Sequence, residues 1–186
     1  MSADRPDAFA EDLPRWDLDG IFPGTGSPEY RAALNHIAGQ TAALAALFDR
    51  HGVGQPSAAG GAEADDVAEV IVAYNALLGR AAVVGGYLFC LAAADVRDEA
   101  AQAAASEWRL LDARLGALAP RFVAWVGTLD LASAAAASNV VREHLPALGR
   151  MRVATTHLME PGQEALAAAL GPTGGAAWLA LRDELV

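Results

Sequence analysis

Side chains of one character recur at steps of three and four residues through most of this sequence, and this spacing restricts the fold more than any other feature. A step of three or four residues places side chains on one face of an α-helix, whereas a half-buried strand alternates at every second residue. No segment keeps the strand period for more than a few residues. The spacing therefore predicts an all-α protein. The first such series consists of Tyr30, Leu34, Ile37, Thr41, Leu44 and Phe48.

The composition agrees with a helical fold. Hydrophobic residues make up 54% of the 186 residues and aromatic residues only 6%, so the apolar content is mainly Ala, Leu and Val. Ala and Leu have high helix propensity. A chain of this length usually forms one domain with a sizeable buried core. We predict a lead-in over residues 1–12 and one helical domain over residues 13–186, in which an extended arm precedes a bundle of long antiparallel helices.

Capping residues and a loop of small residues delimit two predicted helices in the first half of the chain. Ser27 suits the cap and Pro28 the first position of a helix that ends near residue 52. After a loop of small residues, a second helix runs from residue 67 to 95. Its apolar run "AAVVGGYLFCLAAA" is predicted to be fully buried, with Cys90 packed inside. The Gly85-Gly86 pair in that run predicts a close helix crossing or a break, and the apolar neighbours favour the crossing.

Four more helices are predicted in the second half. Asp98 is a plausible cap for a third helix that continues to Trp125 with a kink at Pro120. Residues 129–139 are predicted to be a connection and residues 140–158 a fourth helix. The segments "EPGQEALAAAL" and "AAWLALRDELV" complete the bundle, separated by a glycine-rich break.

The segment "LPRWDLDGIFPG" near the amino terminus is apolar, yet its two prolines and two glycines exclude a helix. We predict that residues 1–12 are a disordered acidic lead-in. The arm that follows is expected to fasten onto the bundle by placing four side chains in a groove between helices. These side chains are Trp16, Leu18, Ile21 and Phe22.

Charge and cysteine content exclude several classes of partner. The formal net charge is −10, the opposite of what phosphate binding requires, so neither nucleic acid nor an anionic membrane is expected. The longest apolar run has 14 residues and would form about 21 Å of helix. This is too short to span a membrane, whose hydrocarbon core is about 30 Å thick. A single cysteine, with no signal peptide, predicts a cytoplasmic protein without an internal disulfide.

No catalytic or metal-binding pattern occurs in the sequence. The four histidines are isolated, with neither an H-E-x-x-H nor an E-x-x-H arrangement among them. The chain contains no lysine, which excludes a Walker loop. We therefore predict no catalytic residue and no metal or cofactor within this chain. The histidines are His36, His51, His144 and His157.

Three segments together resemble a known family. "LPRWDLDGIFPGTGSPEYRAAL" is similar to the amino-terminal start of oligoendopeptidase F, in the thimet-oligopeptidase-like family of zinc metallopeptidases. "YNALLGRAAVVGGYLFCLAAADVRDEAAQ" resembles the family's tyrosine-centred helix, and "HLMEPGQEALAAALGPTGGAAWLALRDELV" its leucine-rich helix, glycine break and tryptophan helix. The three segments occur in the family's order and together cover most of residues 13–186.

The resemblance implies the function. It identifies the chain as the non-catalytic amino-terminal helical domain of a peptidase that hydrolyses short peptides, where this domain forms part of the substrate-channel wall. Zinc and the H-E-x-x-H belong to a catalytic domain outside this chain, which is the implied partner. Tyr87 and Asp95 are candidate residues of the channel or interdomain face, although core packing and a turn role are the alternatives. The other functional class is a stand-alone helical module that binds a partner or itself.

Overall fold

A computed structural model describes residues 17–54, 62–171 and 173–185, and these residues confirm the all-α prediction. The lead-in and Trp16 lie outside the described residues. Within the described ranges there are eight helices and no strand. The helices are α1 (Pro28–Arg50), α2 (Ala64–Ala94), α3 (Glu99–Gly116), α4 (Ala119–Thr128), α5 (Leu131–Ala137), α6 (Asn139–Thr155), α7 (Pro161–Leu170) and α8 (Gly175–Leu185).

The first helix begins as its sequence predicts. The Ser27 hydroxyl accepts a hydrogen bond of 3.1 Å from the backbone N–H of Tyr30, and Pro28 takes the first helical position. Every member of the predicted stripe from Tyr30 to Phe48 is buried. The three- and four-residue spacing thus identified the core-facing side of α1.

The second helix is the centre of the bundle, in contact with α1, α3, α5 and α6. It continues through Gly85-Gly86 without a break. A Cβ added at Gly85 would lie 3.5 Å from the Trp108 indole nitrogen on α3. That is an ordinary van der Waals distance, so α3 packs beside Gly85 without requiring a glycine there. The predicted alternative of a break is wrong.

The predicted full burial of the apolar run in α2 is wrong. Phe89 is 74% exposed, Val83 is 52% exposed, and Cys90 is also exposed. The reason is tertiary: neighbouring helices cover one side of α2 and leave the opposite side open.

Among the described helices, α2 has the length and hydropathy that a membrane span requires, with a mean hydropathy of 1.7 over its most apolar window. One such helix is weak evidence for a membrane, because core helices share these properties.

The third predicted helix is in fact two. Residues 117–118 interrupt it, and Pro120 lies in the first turn of α4. Proline is favoured there because the first backbone N–H groups of a helix have no intrahelical acceptor. The predicted connection at 129–139 contains the short helix α5, which begins where the Asp130 carboxylate accepts hydrogen bonds from the backbone N–H groups of Ala132 and Ser133.

Candidate functional site

The carboxy-terminal third of the described chain exposes large apolar side chains. Trp178 is the most exposed of them, at 73%. Large exposed apolar side chains concentrated in one part of a chain are typical of interaction surfaces, because water solvates them poorly. We call this set of residues the C-terminal apolar surface. It comprises Val153 on α6, Met159 in the turn before α7, Leu166 and Leu170 on α7, and Trp178, Leu179 and Leu181 on α8.

These side chains are exposed because α7 and α8 pack loosely on the bundle. Among the described helices, α7 has its main contact with α3, and α8 has no extensive contact with any other helix. A helix with little tertiary contact cannot bury an apolar stripe by itself. The C-terminal apolar surface therefore remains open to a partner.

A cleft of about 480 Å³ separates α7 from α3 and α4. Alanine is the most frequent residue in its lining, and Arg114, Arg121 and Glu164 are the charged residues there. Oε1 of Glu164 accepts a hydrogen bond of 2.9 Å from the backbone N–H of Met159, which fixes the turn before α7. The cleft is large enough for several side chains of a binding partner.

One of the charged residues at this cleft, Arg121, also secures the turn after α1. The Arg121 guanidinium donates to the Val53 carbonyl and, over 2.7 Å, to the Asp49 carboxylate. It also lies 5.5 Å from the centre of the Phe48 ring. Val53 itself is fully buried. The segment 51–54 is thus held rigidly against the core.

A cluster of three ionisable side chains lies at the start of this turn, where the end of α1 meets the first turns of α2. Nε2 of His51 is 3.0 Å from Oε2 of Glu69, and Nδ1 of His51 is 3.5 Å from Oδ1 of Asp66. The His51 side chain is only 11% exposed. Nη1 of Arg50 lies 3.6 Å from the other Glu69 oxygen, Oε1. We call His51, Asp66 and Glu69 the His51 cluster.

Tyr87, predicted as a candidate channel residue, lies in the core. It is 2% exposed, with its ring centre 5.0 Å from that of Phe22 and 6.0 Å from that of Tyr30. Burial, with a smaller contribution from the nearby carboxylates of Asp19 and Asp98, raises the pKa of the Tyr87 hydroxyl. A side chain this enclosed cannot contact a substrate on the surface, so the packing alternative describes Tyr87.

Asp95, the other candidate, is exposed at the carboxy-terminal end of α2. Its Oδ1 accepts a hydrogen bond of 2.9 Å from the backbone N–H of Arg97. This contact shapes the turn between α2 and α3. The structure does not bring Asp95 together with the buried Tyr87 or with the C-terminal apolar surface into one site.

The arm residues divide between core and solvent. Phe22 is 8% exposed and packs edge-to-face on Tyr30 and Tyr87, and Leu18 packs partly buried against the same core. Ile21, by contrast, is 47% exposed, so its predicted burial is wrong. The cause is local: the N–H groups of Ile21 and Phe22 both donate to the Leu18 carbonyl. The described part of the arm is therefore a series of turns rather than extended.

Sequence reasoning missed the His51 cluster. His51 is separated from its two carboxylate neighbours by a loop of small residues, and no fixed spacing relates them. Only the acidic residues at the start of α2 were a visible signal, and these are common in the first turn of any helix.

No family model matches the chain, and no curated protein or solved structure matches it significantly.

Proposed function

We propose that this chain is the non-catalytic amino-terminal helical domain of a zinc-dependent oligoendopeptidase, and that it forms part of the wall of the channel through which short peptides reach the catalytic zinc. The metal and the catalytic residues are supplied by the partner catalytic domain. The resemblance of the three segments to oligoendopeptidase F is the source of this proposal. We also propose a cytoplasmic location, because the single cysteine of the chain, Cys90, is exposed and stays reduced there.

The C-terminal apolar surface is the observation that supports this proposal most directly. Trp178 and Leu166 are large apolar side chains of the kind found in protein cores, yet they are mostly exposed to solvent. Each large apolar side chain that a partner covers contributes about 1.5–3 kcal/mol to association, before the entropic cost of binding is subtracted. A catalytic domain seated on α7 and α8 would bury this surface and fill the cleft beside α7.

Association with a catalytic domain tests the proposal. The purified chain is mixed with a separately expressed H-E-x-x-H catalytic domain of the oligoendopeptidase F type, and binding is measured by size-exclusion chromatography. We expect a 1:1 complex that cleaves an internally quenched fluorescent peptide in the presence of zinc. The chain alone, with or without zinc, should cleave nothing.

Matched variants locate the binding surface. The double variant Leu166→Gln, Trp178→Gln should lose the complex, because it makes polar the most exposed large apolar side chains of α7 and α8. Leu110→Gln, a change at a side chain of α3 that is 70% exposed, should bind as the unmodified chain does. Peptide cleavage by the chain alone, or equal binding by both variants, would contradict the proposal.

The same surface favours one alternative, a stand-alone module that associates with itself. A self-complementary apolar patch gives a symmetric dimer. Light scattering over a range of protein concentrations distinguishes the two functions. A dimer that persists in excess catalytic domain would favour the stand-alone module.

A further inference from the structure

The His51 cluster combines nitrogen and oxygen donors, which suit a divalent cation such as zinc that accepts both. It offers one imidazole nitrogen and two carboxylate oxygens, and one such atom from each residue can be chosen so that all three lie within 4.8 Å of one another. Zinc binds nitrogen at about 2.0–2.1 Å and carboxylate oxygen at about 2.0–2.2 Å, so neighbouring ligand atoms in a tetrahedral site are about 3.4 Å apart. In the structure Glu69 contacts Nε2 of His51 and Asp66 contacts Nδ1, so side-chain rotation must bring both carboxylates to the one ring nitrogen that holds the ion.

The backbone around the cluster is fixed independently of any ligand. The backbone N–H of His51 donates to the Leu47 carbonyl, and the backbone N–H of Val53 donates over 2.8 Å to the Phe48 carbonyl. Arg121 holds the same turn from the side of α4. A histidine anchored by a hydrogen-bonded turn loses little conformational entropy when it binds a cation.

The two carboxylates belong to one face of α2. Asp66 and Glu69 are three residues apart, a spacing at which like charges repel each other on a helix. Arg50 is the arginine that approaches this pair, and it reaches only Oε1 of Glu69. Oε2 of Glu69 is directed toward His51. The cluster thus concentrates negative charge around a nitrogen donor, which favours a divalent cation.

We propose that His51, Asp66 and Glu69 bind one zinc ion, with water as the fourth ligand, and that this zinc clamps the end of α1 to the first turns of α2. The imidazole favours zinc over magnesium and calcium, which prefer oxygen ligands. Arg50 orients the carboxylate of Glu69 from outside the metal's coordination sphere. The site stabilises the fold and does not depend on the function proposed above.

Calorimetric titration of the full chain, prepared without a histidine tag, with zinc chloride tests this inference. We expect binding of one zinc ion per chain. At free zinc about 100-fold above the dissociation constant, the midpoint of thermal unfolding should rise by about 5 °C or more. Calcium chloride at the same concentration should not raise it. No saturable zinc binding, or an equal rise with calcium, would overturn the inference.

Variants identify the ligands. His51→Gln, Asp66→Asn and Glu69→Gln should each weaken zinc binding by at least about tenfold, which is the size of effect seen when even supporting residues of metal sites are changed. His36→Gln on the exposed side of α1 and Cys90→Ala are the controls and should leave the affinity unchanged. Circular dichroism without zinc shows whether each variant is folded. A loss of zinc affinity in His36→Gln or Cys90→Ala, and not in the three ligand variants, would overturn the assignment.

X-ray absorption spectroscopy of the zinc-loaded, unmodified chain provides a measurement that needs no variant. The expected first shell contains only nitrogen and oxygen at about 2.0–2.2 Å, with the outer-shell scattering of one imidazole. A sulfur neighbour at about 2.3 Å would place the zinc on Cys90 and contradict the proposed site.

Discussion

At the scale of single residues, neighbouring side chains of the arm have opposite environments. Phe22 packs into an aromatic group with Tyr30 and Tyr87, while Ile21, one residue earlier, is about half exposed. The sequence shows that both are large and apolar. The turn around the Leu18 carbonyl decides which of them faces the core.

Alanine substitutions measure this difference. Phe22→Ala should lower the free energy of unfolding by about 3 kcal/mol, because it removes a buried aromatic side chain and leaves a cavity. Ile21→Ala should lower it by less than about 1 kcal/mol. Urea denaturation followed by circular dichroism gives both values. Equal losses for the two variants would show that the arm packs differently.

At the scale of elements, glycines at two positions have different structural roles. Gly54 ends the turn after α1 with a φ of 78°, and a Cβ there would lie 2.8 Å from the Cβ of Arg121 and 2.9 Å from its Cα. Gly79 lies within α2, and a Cβ there would meet no atom within 4 Å. The first glycine is required by the turn, whereas the second only weakens a helix.

Replacement of each glycine by alanine should therefore change stability in opposite directions. Gly54→Ala should lower the free energy of unfolding by about 2 kcal/mol or more, because alanine is strained at this φ and collides with the backbone of α4. Gly79→Ala should raise it by about 0.5–1 kcal/mol through higher helix propensity. Chemical denaturation of the two variants beside the unmodified chain checks both signs. A loss of stability in Gly79→Ala would indicate that the open side of α2 is covered in solution.

The sequence predicted most elements and their inward faces, but not how they end. The stripe of α1 and its Ser27 cap were correct because both depend on local spacing and local hydrogen bonds. The separation of α3 from α4 was missed, since Pro120 is equally compatible with a kink and with a new first turn. Packing against the rest of the bundle decides between these two.

At the scale of the whole molecule, all three tyrosines of the chain are buried in the core. Burial raises the pKa of Tyr30, Tyr74 and Tyr87 above the ordinary value of 10.0, because the charged phenolate is poorly solvated there. The folded state therefore holds these protons more tightly than the unfolded state. Stability that depends on the neutral tyrosines is fully present below pH 10.0 and is lost as the pH rises above it.

Alkaline titration tests this account of the core. The urea midpoint should fall as the pH is raised from 9 to about 11, and ultraviolet absorption should show the folded tyrosines ionising at higher pH than the denatured ones. Tyr74→Phe should reduce the fall, because it removes one of the titrating groups. Tyrosines that ionise near pH 10.0 while the protein remains folded would contradict their burial.

The sequence by itself determined the helical fold and the buried sides of α1 and most of α2, because helix propensity and the spacing of apolar side chains act within one element. Only the tertiary structure decided that Phe89 and Cys90 face outward, that Tyr87 belongs to the core, and that His51 lies beside Asp66 and Glu69. These features depend on contacts between residues far apart in sequence. Where a helix is apolar on all sides, as α2 is around Phe89, the spacing of its apolar residues does not show which side a neighbour covers.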